Sequence, residues 1–451
     1  MRAALRLLLA VLACAPTLGA QAPRAAARHP VVLVSIDGLK PEYVLDADAH
    51  ALRIPHLRAL LARGAHAAGV IGVVPTVTYP SHTTLVTGAS PARHGIFANT
   101  TFDPYNRNAA GWYWYASDIR VPTLWDAATS AGLTSANVHW PVTVGAHITW
   151  NLPQYWRTGE ADDRKLVAAL SSPGLYDSLE REVRIPYADG KDESIESDEL
   201  RARFAARLIE SRRPALTLAY FTALDHEQHT SGPFSAASLA TLERIDAILG
   251  VIESAAARAY GRDAVIAVVS DHGFLPTSRA VHLASAFRGA GLVDAPDAAP
   301  DKPTAWRATV WPAGGSAAVM LHDSSAATLD TVSRLLRTLA AGDSSGIDRV
   351  IDRAELHRRG GFPGAAFLVS LKEGYTVGND THGPLMRPAT VGGMHGYLPD
   401  LPAMRASFFM VGPGVPAGRD LGLIDQRAIA PTLARLLGVS LPTAEIGALF
   451  P

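Results

Sequence analysis

Cysteine is nearly absent from this sequence, since Cys14 is the only one among 451 residues. One cysteine cannot form an intramolecular disulfide, and it cannot build a zinc site from several thiolates. Cys14 also lies in an N-terminal segment with the pattern of a cleaved leader, so we expect no thiolate nucleophile in the mature protein. Nucleophilic or metal chemistry would therefore use other side chains.

An excess of charge and long apolar runs are also missing. The chain has 41 Lys and Arg against 42 Asp and Glu, a formal net charge of -1, so no broad basic surface for nucleic acid or an anionic membrane is predicted. After the N-terminal segment, no apolar run approaches the ~20 residues that a membrane-spanning helix needs. With 48% hydrophobic residues, the composition indicates a globular protein whose anion binding would come from a local site.

The N-terminus has the pattern of an export signal. A basic start is followed by the apolar run Leu7–Ala13 and by the small residues Leu18-Gly19-Ala20 before Gln21. Residues 1–20 are therefore predicted to be a secretory signal peptide, which makes the protein periplasmic or secreted. A lipoprotein signal is the alternative, because Val11-Leu12-Ala13 precedes Cys14, and it would leave the protein lipid-anchored.

Apolar runs rich in Val, Ile and Leu alternate with helical patterns along the chain. The runs cover residues 31–36, 215–221, 264–269 and 407–411, and helical patterns cover residues 54–63, 198–211 and 236–257. This alternation predicts an α/β fold: one domain over residues 29–445, built on a doubly wound, mostly parallel sheet. Residues 68–74 are predicted as a further strand of this sheet, and residues 151–193 as surface loops around a pocket.

The composition changes between residues 285 and 385, which are rich in Ala, Pro, Asp and Gly. Short strand patterns at residues 316–321 and 366–371 flank a helical pattern at residues 327–340. We therefore expect a small α+β insertion here, a cap subdomain within the main domain.

Carboxylates and imidazoles follow the predicted strands in three separate places, and His395-Gly396 is a fourth candidate place. They are the six side chains of Asp37, Asp225, His229, Asp271, His272 and His395. Ligands of doubly wound folds bind outside the carboxyl ends of the strands, so we expect these side chains to meet at one edge. Oxygen and imidazole donors suit zinc, and six ligands divide into two three-ligand sites with open positions. Paired metals of this kind stabilise both the attacking and the leaving oxygen of an in-line displacement.

Thr78 is the candidate nucleophile. It lies in Pro75-Thr76-Val77-Thr78-Tyr79-Pro80, at a predicted strand-to-helix turn in which Pro80 suits the first helical turn. A hydroxyl in such a turn is only a turn residue unless something removes its proton. A metal ion bound by the predicted ligands would promote loss of that proton.

The motif around Thr78 resembles the nucleotide pyrophosphatase/phosphodiesterase family of the alkaline phosphatase superfamily. That family has Pro-Thr-x-Thr-[Phe/Tyr]-Pro around a nucleophilic threonine, and an asparagine that contacts the oxyanion 21 residues further on. Here Thr78 matches the threonine, and Asn99, after His94-Gly95-Ile96, matches the asparagine. The resemblance covers most of residues 30–440 and implies an alkaline-phosphatase type of sheet.

The resemblance also implies how the ligands are shared between two zinc ions. One zinc would be bound by Asp225, His229 and His395, and the other by Asp37, Thr78, Asp271 and His272. The implied function is an exported two-zinc phosphodiesterase or nucleotide pyrophosphatase. It would cleave small-molecule phosphodiesters or nucleotides at the α-phosphorus through a phospho-threonine intermediate.

Three tyrosines match substrate-contacting positions of the family. Tyr79 matches an aromatic residue that contacts a nucleobase, and Tyr155 and Tyr220 are further matches, although core packing or loop anchoring explains each of them as well. The sequence departs from the family pattern at Ser81, usually Asn, and at Gln228, usually Gly. These departures leave the substrate preference open.

Other members of the superfamily remain as alternatives. A phosphomonoesterase of the alkaline phosphatase type with a threonine nucleophile would share the zinc ligands and Asn99, but we find no Lys-x-Arg triplet where such enzymes carry one. A phosphonoacetate hydrolase would use the same metals and threonine. A non-enzymatic scaffold is disfavoured, because decay of an enzyme normally removes ligands and none is missing.

Overall fold

The computed structural model describes residues 28–108, 111–157, 162–188, 191–342 and 345–450. The predicted signal peptide, residues 1–20 with Cys14, lies outside the described residues. Within the described ranges, no helix is both long enough and apolar enough to cross a bilayer.

The described residues contain nineteen strands, numbered in chain order. They are β1 (Val31–Ile36), β2 (Ala65–His66), β3 (Gly69–Ile71), β4 (Ser135–Val138), β5 (Trp150–Leu152), β6 (Leu216–Phe221), β7 (Val265–Val269), β8 (Leu275–Val281), β9 (Val293–Asp294), β10 (Ala305–Trp306), β11 (Ala308–Ala313), β12 (Ser316–Leu321), β13 (Ile347–Asp352), β14 (Ala365–Leu371), β15 (Gly374–Val377), β16 (Met386–Met394), β17 (Phe408–Val411), β18 (Arg419–Asp420) and β19 (Leu423–Asp425).

Fourteen α-helices lie between these strands in the described ranges. They are α1 (Pro41–Leu45), α2 (Pro55–Arg63), α3 (Thr78–Thr87), α4 (Pro91–His94), α5 (Leu124–Ser130), α6 (Asp163–Leu170), α7 (Leu175–Val183), α8 (Ile195–Arg212), α9 (Ala223–Ser231), α10 (Ala236–Tyr260), α11 (Leu283–Gly289), α12 (Ala326–Ala340), α13 (Arg353–Arg359) and α14 (Ile429–Leu437). Short 3-10 turns cover Ala47–His50, Ala116–Asp118, Pro402–Met404 and Gln426–Ala428.

The main sheet has eight strands in the order β18-β2-β17-β7-β1-β6-β4-β5. The five consecutive strands from β7 to β5 are all parallel, whereas β17 is antiparallel to both of its neighbours. The predicted α/β fold with a mostly parallel sheet is therefore confirmed. Parallel strands β7, β1 and β6 are adjacent, so their carboxyl ends lie side by side.

Both faces of the main sheet are covered, as the continuous apolar runs predicted. In β1, Val32 and Val34 belong to a core that includes residues of α8 and α10. Val31 and Leu33 point the other way, into a core that includes residues of α14. Alternate residues of one strand thus pack into two cores, which is why Ser35 is the one polar residue of β1.

The region between residues 285 and 385 contains a separate antiparallel sheet, in the order β11-β12-β14-β13, with its own hydrophobic core. Another sheet has the order β15-β8-β16. Its strand β8 follows β7 of the main sheet in the chain. Its last strand, β16, ends at Met394 and so delivers His395. The exact borders of the inserted subdomain stay a prediction.

Two local predictions are wrong. The strand predicted at residues 68–74 is only the short β3, which pairs with β19 in a two-stranded sheet outside the main one, because Gly72 and Pro75 interrupt the extended run. Residues 151–193 are not simply loops, since they contain part of β5 and the helices α6 and α7. Leu175 and Leu179, one helical turn apart and both buried, are the sequence signal for α7.

Candidate active site

The predicted ligands lie together at the carboxyl edge of the main sheet. Asp37 follows β1, the pair Asp271-His272 follows β7, and α9, which follows β6, carries Asp225 and His229 one helical turn apart. His395 comes from outside this sheet, at the end of β16. The nonlocal order of the strands therefore assembles residues that are up to 358 positions apart (395 − 37 = 358).

The imidazole of His272 is at the centre of this cluster. Its Nε2 is 3.0 Å from Asp271 Oδ2, 3.4 Å from Asp37 Oδ1 and 4.0 Å from Asp225 Oδ1. His395 Nε2 is 3.8 Å from Asp225 Oδ1, and its ring stacks on that of His272 at 3.6 Å. His229 Nε2 is 3.3 Å from Asp225 Oδ2.

Two groups of three side chains bring their ligand atoms within 4.8 Å of one another. The first is Asp37, Asp271 and His272, and the second is Asp225, His272 and His395. The first group has the membership that was predicted from the sequence for one zinc site, apart from Thr78. The second contains His272 where the sequence analysis predicted His229. His229 itself lies beside Asp225, at the half-exposed side of the cluster.

The carboxylates of the cluster are buried or partly buried and incompletely satisfied. Asp37 Oδ1, Asp225 Oδ1 and Asp271 Oδ2 have no hydrogen-bond donor among the described residues. Burial, followed by the charges of Asp225 and Asp271, raises the pKa of Asp37 well above its usual value. Two buried carboxylates and one partly buried carboxylate at this spacing repel one another, and a cation between them would remove that penalty. The donor set therefore fits a metal centre.

Three imidazoles of the cluster turn Nε2 toward these carboxylate oxygens and Nδ1 toward a backbone carbonyl. His229 Nδ1 is 3.0 Å from the carbonyl of Gly393, His272 Nδ1 is 3.2 Å from that of Gly273, and His395 Nδ1 is 3.1 Å from that of Thr76. A carbonyl only accepts hydrogen bonds, so each Nδ1 carries a proton and each neutral ring has its lone pair on Nε2. Such outer hydrogen bonds are typical of metal-binding histidines.

The charges of the two outer imidazoles differ in the metal-free protein. Burial and the neighbouring His272 lower the pKa of His395 to about 3. Burial also lowers the pKa of His229, but the adjacent Asp225 outweighs it and raises that pKa to about 9. The Asp225 carboxylate thus favours the protonated form of His229, and a cation bound between them would compete with that proton.

Thr78 is the first residue of α3 and lies beside the cluster. Its Oγ1 is 3.5 Å from His272 Nε2, and its side chain is almost completely buried. His82, one turn further along α3, holds the Thr78 carbonyl through Nδ1 at 2.8 Å and contacts Ser35 Oγ through Nε2 at 2.8 Å. The helix N-terminus also supplies partial positive charge at this point, which favours an anion.

Asn99 is fixed next to Thr78 by its side-chain oxygen. The backbone N–H of Tyr79 donates to Asn99 Oδ1 at 2.9 Å. Because an N–H can only donate, this contact identifies the oxygen of the carboxamide, and the two N–H groups of Nδ2 remain as donors. The arrangement holds a hydrogen-bond donor at the start of α3.

The structure does not bring the three predicted substrate tyrosines onto an open surface. Tyr220 is 2% exposed, and its hydroxyl donates to Asp37 Oδ2. Tyr79 is 1% exposed, and its hydroxyl donates to Gln154 Oε1 at 2.8 Å. Tyr155 is also buried, with its ring centroid 5.1 Å from that of Trp114. Tyr220 therefore contacts a carboxylate of the cluster and not the open side of the site.

Sequence reasoning missed a cluster of three tryptophans beside Tyr79, two of which contact its ring. The Trp112 and Trp114 ring centroids lie 5.3 and 6.1 Å from that of Tyr79, and Trp156 packs against both indoles at 5.0 and 4.4 Å. Tyr113 N–H donates to the Asn99 carbonyl at 3.1 Å, which ties this aromatic group to the candidate active site. The four consecutive aromatic residues from position 112 to 115 were the available signal.

Sequence reasoning also missed the group that caps α9. Asp198 Oδ2 accepts the backbone N–H groups of Thr222 and Ala223 at 2.9 and 2.8 Å, and Arg201 Nη1 donates to Asp198 Oδ1 at 2.9 Å. Burial raises the pKa of Asp198 to about 6 even though Arg201 and these N–H groups oppose the shift. The carboxylate thereby fixes the first turn of the helix that carries Asp225 and His229.

Comparisons with known proteins place these features in context. The family model described as Type I phosphodiesterase / nucleotide pyrophosphatase matches residues 31–398. Ectonucleotide pyrophosphatase/phosphodiesterase family member 3 of Rattus norvegicus is 28% identical over 275 residues, 59% of this chain and 27% of that protein. A venom phosphodiesterase of Naja atra is 25% identical over 272 residues, 58% of this chain and 28% of that protein. The matched region spans only about a quarter of the length of these two relatives.

Solved structures of two relatives share the fold. Human ectonucleotide pyrophosphatase/phosphodiesterase 5 matches with a TM-score of 0.64 and 22% identity, over 91% of this chain and 95% of the other. An inactive variant of the murine protein in complex with AMP matches with a TM-score of 0.65 and 21% identity, over 92% and 96%. At these identities the similarity establishes a common architecture.

Proposed function

Because the chain belongs to the type I phosphodiesterase/nucleotide pyrophosphatase family, we propose that it is a two-zinc hydrolase that cleaves phosphodiester or nucleotide α-phosphate bonds through a phospho-threonine intermediate. The substrate is a small molecule. The family alone does not select this reaction, so the proposal depends on the geometry of the candidate active site.

One observation carries the proposal. Buried, unsatisfied oxygens of three carboxylates converge with the Nε2 atoms of three histidines, and the Thr78 hydroxyl lies 3.5 Å from the central imidazole. A structural cluster would be expected to satisfy its own buried oxygens. This one leaves them free beside a hydroxyl at a helix N-terminus.

The donor set suits zinc, because it combines carboxylate oxygen with imidazole nitrogen and contains no thiolate. We assign Asp37, Asp271 and His272, with Thr78, to one ion, and Asp225, His229 and His395 to the other. When bound, such ions supply the positive charge that lowers the pKa of a nucleophile and neutralises the developing negative charge.

The protein's own groups have the following roles in the reaction. Thr78 Oγ1 attacks phosphorus in line with the leaving oxygen, so that a Thr78–phosphate ester forms as the bond to the leaving group breaks. Water then hydrolyses this ester and regenerates the threonine. Asn99 Nδ2 donates to the non-bridging oxygens during both steps, and the partial positive charge at the N-terminus of α3 stabilises them. Tyr220 acts as a positioning residue, because its hydroxyl holds Asp37.

Asn99→Ala tests the role of the carboxamide. We expect kcat for a phosphodiester to fall by about 10²–10³-fold, the usual cost of one oxyanion donor, with an unchanged metal content. Steady-state kinetics and metal analysis of the purified variant measure both quantities. Asn108→Ala, which changes an exposed asparagine nine positions further along the chain, is the control. A variant with wild-type kcat would remove Asn99 from the mechanism.

The organic group of the substrate would lie against the aromatic residues around Tyr79. In this proposal Tyr79 supports the half-buried indole of Trp112, Tyr155 packs against Trp114, and the indoles offer a face for stacking. The AMP complex of the murine relative is compatible with a nucleoside in that position. A simple aryl diester would use the same site with less contact.

A panel of substrates tests the proposed function against its alternatives. The zinc-loaded protein would be assayed with bis(p-nitrophenyl) phosphate, p-nitrophenyl phosphate, the p-nitrophenyl ester of thymidine monophosphate, ATP and phosphonoacetate. We expect both diesters to be cleaved at least about 100-fold faster than the monoester, with the nucleoside ester preferred. A monoester preference would indicate a phosphomonoesterase, and efficient cleavage of phosphonoacetate would indicate a phosphonate hydrolase. Either result would overturn the proposal.

Export is also proposed, in a periplasmic, secreted or lipid-anchored form. It is supported by the signal pattern of residues 1–20 and by relatives that are venom phosphodiesterases or carry the prefix ecto- in their names.

A further inference from the structure

Gln228 is a completely buried amide in α9, between Asp225 and His229. It stands where the family pattern usually has glycine, so its side chain has no counterpart in that pattern. Its amide is neutral, and its two polar atoms contact Gly38 and Tyr43 and not the candidate metal ligands. Its burial therefore calls for a different explanation.

Both ends of the Gln228 side chain are hydrogen-bonded across the site. Nε2 donates to the carbonyl of Gly38 at 3.0 Å, and Oε1 accepts from the hydroxyl of Tyr43 at 3.0 Å. Because the amide donates at one end and accepts at the other, its orientation is determined by these two partners. Gln228 thus joins α9 to the segment that follows β1.

The Gly38 peptide extends this connection to the other ligand group. Its N–H donates to Asp271 Oδ1 at 3.1 Å, while its carbonyl accepts from Gln228. Gly38 also has a positive φ of 67°, and a Cβ at this position would be 2.8 Å from Gln228 Nε2. Glycine here permits both the left-handed backbone and the close approach of the amide.

Tyr43 secures the other end of the amide. Its hydroxyl accepts the backbone N–H of Phe234 at 2.7 Å while it donates to Gln228, and its ring stacks on that of Phe234 at 4.2 Å. Phe234 lies in the connection between α9 and α10. The continuous chain of hydrogen bonds therefore runs from this connection through Tyr43, Gln228 and Gly38 to Asp271.

We propose that Gln228 is a positioning residue that sets the spacing between the two ligand groups and couples their binding of zinc. Asp37 and Asp271 are held at one end of the connection, and α9, with Asp225 and His229, at the other. Without the amide, α9 loses its direct side-chain link to the Gly38 peptide. Binding of the second ion then has to bring Asp225 and His229 into place, and this lowers the affinity for that ion. This inference rests on the proposed two-zinc function.

The test is a two-step zinc titration of the metal-free wild type and of Gln228→Met, which has a side chain of similar length but neither hydrogen bond. We expect the affinity of the weaker ion to fall by about 10–100-fold, the usual cost of losing an outer-shell contact, while the tighter ion changes little. Tyr43→Phe, which removes only the partner of Oε1 and keeps the ring stacking, should give a smaller loss in the same step.

Thr432→Val is the matched control, because Thr432 is also completely buried and its hydroxyl bonds Ala428 O at 2.7 Å and Leu449 N at 2.9 Å, in and near α14. It should lower the thermal midpoint of the metal-free protein without changing either zinc affinity. If the two Gln228-related variants lower only the thermal midpoint, Gln228 is a packing residue and the inference is wrong. A wild type that binds fewer than two ions would instead overturn the proposed function, and the inference with it.

Discussion

Replacing Thr78 with alanine is expected to reduce phosphodiester hydrolysis by at least about 10³-fold, because loss of the nucleophile removes the covalent route altogether. The metal content should stay close to that of the wild type, since the Nε2 and carboxylate oxygens of the cluster come from other residues. Thr78→Ser, which keeps a hydroxyl, should retain measurable activity. Steady-state rates and metal analysis of both variants provide the measurement.

Thr83→Ala is the control for this experiment. Thr83 is buried in the same helix, but its hydroxyl donates only to the carbonyl of Tyr79 at 2.8 Å, so its loss should change stability more than rate. Acid quenching of the wild type during turnover should also yield a phosphorylated peptide that contains Thr78. Near-wild-type diesterase activity in Thr78→Ala, with metal bound, would show that another group is the nucleophile.

The second large effect is expected at His272. Its Nε2 lies within 4.0 Å of carboxylate oxygens of Asp37, Asp225 and Asp271, and it belongs to both groups of candidate ligands. We therefore expect His272→Gln to weaken the binding of both ions, at least one of them by more than about 100-fold, and to abolish activity. His229→Gln should weaken only the ion assigned to Asp225, His229 and His395.

Metal analysis after dialysis, together with thermal unfolding of the metal-free variants, separates ligand loss from misfolding. Glutamine keeps a polar side chain of similar size in the buried position, which limits the cavity that the substitution creates. If His272→Gln retains both ions, the central position of His272 does not reflect metal binding. If His272→Gln loses only the ion assigned to Asp37 and Asp271 while His229→Gln loses only the other, the grouping by distance is wrong and the assignment from the sequence pattern holds.

The main strands, and the acidic residues that follow them in the sequence, were predictable because their signals are local. An apolar, β-branched run such as residues 31–36 is buried on both faces whichever strands become its neighbours. Asp37 and Asp271 then follow from their position directly after such runs. The strand at residues 68–74 was overestimated, since hydrophobicity alone does not show that Gly72 and Pro75 interrupt pairing.

Side-chain exposure was less predictable than position. Tyr79 and Tyr220 were expected to contact substrate, but whether a ring faces solvent depends on which distant residues pack on it. For Tyr79 these are Trp112 and Trp114, and for Tyr220 the decisive partner is Asp37, 183 positions away. No pattern within a window of sequence carries that information.

The sequence by itself determined the chemical inventory of this protein: a threonine, an asparagine, three carboxylates and three imidazoles, with Cys14 as the single thiol of the chain. It also determined the alternation of strands and helices, because both follow from residue type and short-range periodicity. Only the tertiary structure decided that His272 lies between the two ligand groups and that Gln228 links them through Gly38. Those relations depend on the order of strands β7, β1 and β6 in the sheet, since strand order determines which strand ends become neighbours across long stretches of chain.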